Sequence, residues 1–407
     1  METRTAIDIA SLAEHPAVRR ARQILYDTDA ETLADQLELV QIPAPPFHEA
    51  ARAQRMRERF SALGLVDVAV DEVGNVLARL PTNGASSHPP LLVAAHLDTI
   101  FPEGTDITVR REGERLFAPG ISDNARGLAA TLALARALLR AGISTTHPVV
   151  FVATVGEEGI GDLRGVKHLF RDDSPWRAAA GFLSLDGAGR RRIVHRAVGS
   201  RRFRITFDGP GGHSWADWGI ANPIHALGLA ISEFVRITPP FQPRSALTVG
   251  RVAGGTSVNA IPERAWLELD LRSEDPRTLA ELEARVRRAL NAVIQDVNAR
   301  RRIGTPALTA SIDVIGDRPA GETPIDSPLV QAARAATHAL GDVPELVASS
   351  TDANIPIALG IPAITLGAGG ESGGTHTTEE WYSNHGGPEG IERALLTLLA
   401  VAGVADR

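Results

Sequence analysis

Along the first two hundred positions, short unbroken apolar runs alternate with longer segments whose apolar residues recur every three or four positions. That alternation predicts the strands and helices of an α/β domain. Glu31 to Leu39 and Glu49 to Leu63 read as helices, and Asn75 to Leu80 and Leu91 to Ala95 as strands. Leu128 to Leu139 has helical spacing, whereas Val149 to Val155 and Gly181 to Leu185 read as strands buried on both faces, because no polar position alternates within them. The pattern changes near Ala197. A strand at Arg201 to Phe207 leads to a helix at Pro223 to Ile237, then to strands at Ala246 to Val252 and Ala265 to Leu271. A long charged helix, Thr278 to Arg300, and a strand at Ala307 to Val314 complete a βαββαβ order, the ferredoxin-like unit. After Pro319 the α/β pattern resumes with a helix at Leu329 to Leu340 and a strand around Ala363 to Leu366. The expected architecture is an α/β domain in two parts, 1–196 and 318–407, interrupted by an inserted domain at 197–317.

Composition narrows the chemistry. The 407 residues can bury a sizeable core. The formal net charge of -7 argues against a nucleic-acid partner, and Arg190 to Arg192 and Arg300 to Arg302 read as solvated faces. With no cysteine, disulfides, thiolate metal ligands and a cysteine nucleophile are excluded, so any transition metal must be held by His and carboxylate. Lys167 is the only lysine and has no Walker signature around it, which argues against a Schiff-base enzyme or a P-loop NTPase. The stretch METRTAIDIASLAEHPAVRR has acids among its bases and no apolar core segment, and nowhere do 18 apolar residues run together. The expectation is a cytoplasmic protein that acts on a small molecule and meets no membrane.

The candidate chemistry lies at the ends of the apolar strands. LLVAAHLDTI runs into His96 and Asp98, VVFVATVGEEG into Glu157 and Glu158, and FLSLDGAG into Asp186. GISDNARG places Asp123 at the mouth of a helix, and GGTHTTEEW supplies His376 from a glycine-rich loop. Each has an ordinary reading: a hydrogen-bonded strand-end histidine, an N-cap aspartate, solvated turn carboxylates. Together they say more, because the ends of successive strands in an open α/β sheet meet at one edge, where sites form. Two histidines and several carboxylates fit a pair of divalent ions such as Zn²⁺, Mn²⁺ or Co²⁺. One carboxylate must bridge such a pair, and another must stay off the ions to act as base. The doubled Glu157 and Glu158 can supply both functions from one strand end, since consecutive side chains point in different directions.

In this order, with the βαββαβ insert between the fourth motif and the last, HLDT, GISDNARG, GEEG, SLDG, GGHS and GTHTTEEW resemble the M20 family of co-catalytic metallohydrolases. STDANIPIALGIPAITLG is similar to the peptidase T and carboxypeptidase G2 branches, and the resemblance covers the chain from about Gln41 onward. It implies an α/β/α catalytic domain with a lid that also forms a homodimer. By that resemblance, His96 and Asp186 hold one metal, Glu158 and His376 the other, and Asp123 bridges them, with the Asp123–Asn124 peptide cis. Asp98 fixes the His96 ring through its other nitrogen, and Glu157 is the general base. His213, in GPGGHSWADWG, stabilises the oxyanion, while Asn259 and Arg272 hold a substrate carboxylate. The residues alone leave His213 open as a turn histidine, Arg272 as a strand-face ion-pair partner, and Trp215 and Trp218 as either an aromatic pocket or buried packing in the insert. The implied reaction is hydrolysis of an amide C–N bond in a short peptide or N-acyl amino acid. Its alternatives are a non-peptide C–N bond such as that of an aromatic amine, and a non-catalytic scaffold on the same fold.

Overall fold

The computed structural model describes residues 8–82 and 87–405, so the first seven residues of the N-terminal stretch read above lie outside it. The chain divides into two compact units, Met1–Ala197 with Glu322–Arg407, and Val198–Gly321.

The first unit is built on a mixed sheet whose centre is parallel. Leu91–His96 lies between Val149–Thr154 and Gly181–Leu185, and Ala363–Leu366 continues the parallel set beyond Gly181–Leu185. Val66–Val70 and Val76–Arg79 add antiparallel strands on one side, while Arg192–Ala197 pairs antiparallel with Ala363–Leu366 on the other. The unbroken apolar runs follow from cover on both faces. Leu91, Val93 and Ala95 enter one core cluster with the helix Ala125–Ala141, and Leu92 and Ala94 enter a second with Val166, Leu169 and Phe170. Ala125–Ala141 is buried along nearly its whole length and stops at Gly142, whose left-handed backbone (φ +67°) lets its N–H close back on Leu138 and Leu139.

The second unit is a βαββαβ fold with sheet order Ser245–Gly254, Arg264–Ser273, Gly199–Asp208, Thr309–Arg318, antiparallel throughout. Its long helix Pro276–Arg300 starts at Asp275, whose carboxylate accepts the Thr278 N–H. Leu279, Leu282, Val286, Leu290 and Val293, three or four positions apart, bury its one apolar stripe. Phe203, Ile205, Leu267 and Leu269 complete a core that draws only on residues of this unit. It begins at Val198 and ends at Gly321, four residues past the limit expected at 317, because the closing strand runs on to Arg318.

Candidate metal centre

The parallel strands deliver their polar residues to one edge. His96 is the last residue of its strand, Asp186 follows Leu185 directly, and Glu157 and Glu158 lie just beyond Thr154. Asp123 precedes Asn124, which caps the helix Ala125–Ala141 through its side chain, and the Asp123–Asn124 peptide is cis. His376 sits between the short strands Glu371–Gly373 and Trp381–Ser383 with left-handed backbone, φ +68°.

The structure gathers these residues into overlapping groups: His96 with Asp123 and Asp186, Asp123 with Glu158 and His376, and His96 with Glu157 and Glu158. Asp123 gives one carboxylate oxygen to each histidine. Its Oδ1 is 3.0 Å from His96 Nε2, and its Oδ2 is 3.2 Å from His376 Nε2. His96 Nε2 also faces Asp186 at 3.7 Å, and His376 Nε2 faces Glu158 at 2.8 Å. Glu157 is 5% exposed and joins only the group it shares with His96 and Glu158.

The hydrogen bonds show what the edge is made to hold. His96 Nδ1 lies 3.0 Å from the Asp98 carbonyl, which can only accept, so this nitrogen carries the proton. In the neutral ring the Nε2 lone pair then points at the carboxylate oxygens of Asp123 and Asp186. That arrangement repels unless positive charge stands between them. A proton supplies it in the free protein. Burial opposes a charged His96, yet the neighbouring carboxylates of Asp123, Asp186 and Asp98 raise its pKa well above the ordinary value. Asp123 and Glu158 likewise hold His376 up at about 10. Burial disfavours ionised Asp123, but His376 and His96 outweigh it and keep the group below the usual carboxylate range. Burial pushes Glu158 up. A donor set of imidazole nitrogens and hard carboxylate oxygens, crowded and short of cations, fits divalent metal ions in the place of those protons.

Two buried carboxylates build this geometry without joining it. The His96 ring is fixed chiefly by the Asp98 carbonyl. The Asp98 carboxylate stands 3.6 Å from the ring and accepts the N–H groups of Glu157 and Glu158 at 2.9 and 2.7 Å. Asp98 therefore ties the His96 strand end to the two glutamates. Glu380, to which the sequence reading gave no role, does the same for Asp123. It accepts from Gly120 N, Ser122 N, Ser122 Oγ and Asp123 N at 2.7–3.0 Å. The segment GTHTTEEW thus provides both His376 and the clamp on Asp123. Asn124 was also missed: its amide donates to the Leu185 carbonyl at 2.9 Å and accepts the Gly187 N–H at 3.3 Å, fastening Asp123 beside Asp186.

The remaining predicted residues lie in the second unit. Gly212–His213 pairs antiparallel with Ala260–Ile261, and the Ser214 N–H bonds to the Asn259 carbonyl at 3.0 Å, which brings His213 and Asn259 to one short two-stranded sheet. The His213 Nδ1 accepts from the backbone of Trp215 and Ala216, so Nε2 carries the proton and is the ring's available donor. Asn259 accepts from Ser257 Oγ at 2.6 Å. Arg272 is not brought to this sheet. It stands at the other end of Arg264–Ser273, opposite Ser200, and pairs with Asp270 at 2.7 Å. Trp215 and Trp218 are 87% and 74% exposed, so the alternative of buried packing does not hold.

Comparison with known proteins bears on the family and the fold. The model of peptidase family M20/M25/M40 matches residues 92–402. A succinyl-diaminopimelate desuccinylase of Corynebacterium glutamicum is 27% identical over 249 residues, a match spanning 60% of this chain and 66% of that relative. Among solved structures, a tripeptidase of Staphylococcus aureus superposes with TM-score 0.72 at 22% identity, over 91% of this chain and 96% of the other. The aminopeptidase PepT of Bacillus cereus gives 0.70 at 22%, over 91% and 97%. At these identities the structural likeness carries the fold.

Proposed function

Because the chain belongs to peptidase family M20/M25/M40, and is thereby a metal-dependent amide hydrolase, we propose that it works with two divalent ions on the C–N bond of a short peptide or N-acyl amino acid. The observation that carries the two-ion reading is Asp123, which turns one oxygen to the His96 group and the other to the His376 group. In this proposal His96 and Asp186 hold one ion, His376 and Glu158 the other, and Asp123 is shared. The ions supply Lewis acidity and a water of lowered pKa. Asp98 keeps the His96 ring in the tautomer that leaves Nε2 free to ligate, and fixes the backbone that presents both glutamates. Glu157, absent from the His376 group, accepts the proton of the attacking water and passes it to the amide nitrogen. The C–N bond then breaks to give an amine and a carboxylate. His213 as oxyanion donor and Asn259 and Arg272 as holders of a substrate carboxylate complete the proposal. So do Zn²⁺, Mn²⁺ or Co²⁺ as the metal, a homodimer through the insert and a cytoplasmic location. Among the described residues no helix is long and apolar enough to cross a membrane.

A second reading, hydrolysis of an aromatic amine, is favoured by the two exposed tryptophans of the loop that carries His213. One experiment addresses both. Released amine is measured over di- and tripeptides, N-acyl amino acids and aromatic amines, with metal-stripped, Mn²⁺- or Zn²⁺-loaded protein and with Glu157→Ala. Amide turnover that requires metal and falls at least ~100-fold in the variant, the scale of a lost general base, is expected. Turnover of aromatic amines alone replaces the substrate class, and equal rates in variant and wild type overturn the role of Glu157.

A further inference from the structure

One buried carboxylate near this edge has no part in the scheme above. Asp352 follows the strand Glu345–Ser349 and is 1% exposed. Its Oδ2 accepts the hydroxyl proton of Thr154, and its Oδ1 has no hydrogen-bond partner among the described residues. Thr154 is the residue directly across the parallel ladder from His96, so the two side chains leave the sheet on the same face. The charges that act on Asp352 are those of His96, Asp98 and Asp186. Among the described residues no arginine or lysine pairs with it. Its placement is fixed: Asn354 Oδ1 accepts the Thr351 N–H at 2.9 Å, and the hydroxyls of Thr351 and Thr365 meet at 2.7 Å.

A carboxylate taken out of water with half its acceptors empty, and with only the protonated His96 as a positive charge acting on it, is a standing cost to the metal-free fold. Burial accordingly pushes Asp352 up to about 6. The cost is offset further when a divalent ion, with more positive charge than the proton it displaces, takes the place of that proton at His96. We infer that Asp352 is a positioning residue whose charge, anchored behind His96 by Thr154, tightens the binding of divalent cations at this edge without touching them. The inference rests on the metal-hydrolase reading.

The test is calorimetric titration of metal-stripped protein with Mn²⁺, beside the melting temperature of the same metal-free samples. Asp352→Asn keeps the shape and an acceptor for Thr154 but removes the charge. It is expected to weaken Mn²⁺ binding by ~10-fold or more, as loss of an outer partner does. The metal-free variant is expected to melt at or above the wild-type temperature, because no charge remains to be desolvated. Thr154→Val keeps the carboxylate but removes the donor that anchors it, so it is expected to lower the metal-free melting temperature and to weaken Mn²⁺ binding less than Asp352→Asn does. Wild-type affinity in Asp352→Asn, a melting temperature that falls in step with affinity, failure of that variant to fold, or a greater loss of affinity in Thr154→Val than in Asp352→Asn would each overturn the inference. If wild-type protein binds no Mn²⁺, the metal reading fails and this inference with it. If wild type binds and Asp352→Asn matches it, only this inference fails.

Discussion

At the scale of single residues, the edge stores its positive charge as protons until metal takes their place, and His376 shows the consequence for pH. Its ring is held at about 10 by Asp123 and Glu158, whereas an unfolded histidine titrates near ~6.5. A group whose folded pKa is raised stabilises the fold fully below its unfolded value, and that contribution is lost as pH rises through the folded value. For metal-stripped protein, the difference in melting temperature between wild type and His376→Ala is therefore expected to be constant below about pH 6.5 and to shrink progressively toward pH 10. Circular-dichroism melts at half-unit pH steps check this. A difference that stays flat through that window would mean that the ring does not carry the proton assigned to it. Because the His376 side chain is half exposed, solvent screening keeps the effect modest.

At the scale of elements, the site depends on how closely the helix Ala125–Ala141 approaches the strand Gly181–Leu185, and Gly127 permits that approach. A Cβ there would stand 2.2 Å from Asn124 Oδ1 and 2.4 Å from the Leu185 carbonyl. Alanine is the better helix former by about 1 kcal/mol, but a backbone oxygen at that range cannot turn aside. Gly127→Ala is therefore expected to cost ~1–3 kcal/mol, as overpacking does, and to weaken Mn²⁺ binding by moving Asp123 away from Asp186. Unfolding and titration at wild-type values would show that the approach is not required. The same elements explain what was legible in the sequence. Leu91–His96 and Val149–Thr154 could be read because burial on both faces leaves an unbroken apolar run. Val66–Val70 and Glu345–Ser349 were not assigned because half-exposed positions dilute their pattern, and Arg192–Ala197 because Arg192, His195 and Arg196 break its apolar run even though His195 is buried. Pro16–Asp27 hides its buried Val18, Ala21 and Leu25 among arginines. Metal-ligand candidates were legible as polar residues closing apolar strands. Glu380 was not, since its partner Asp123 lies 257 positions away and only the folded chain shows which backbone it clamps.

At the scale of the whole molecule, the two units have separate apolar cores, one set around the mixed sheet and one inside the βαββαβ insert. Each contains what a domain needs to fold alone. The chain leaves the first unit after Ala197 and returns at Glu322, and the Thr323 N–H bonds to the His195 carbonyl at 2.8 Å. The two ends thus lie side by side within the first unit, so a short glycine linker can join them without stretching either strand. Such a spliced chain is expected to fold and to keep its affinity for Mn²⁺, because the residues gathered around His96 and His376 all belong to that unit. On the proposed roles of His213, Asn259 and Arg272, which leave with the insert, it is expected to lose turnover. The excised insert, 198–321, is expected to unfold in one cooperative transition. Full turnover by the spliced chain would remove the insert from the chemistry. A spliced chain that folds but binds no Mn²⁺ would instead mean that the insert shapes the metal edge, a dependence for which the bonds traced around Asp98 and Glu380 provide no route.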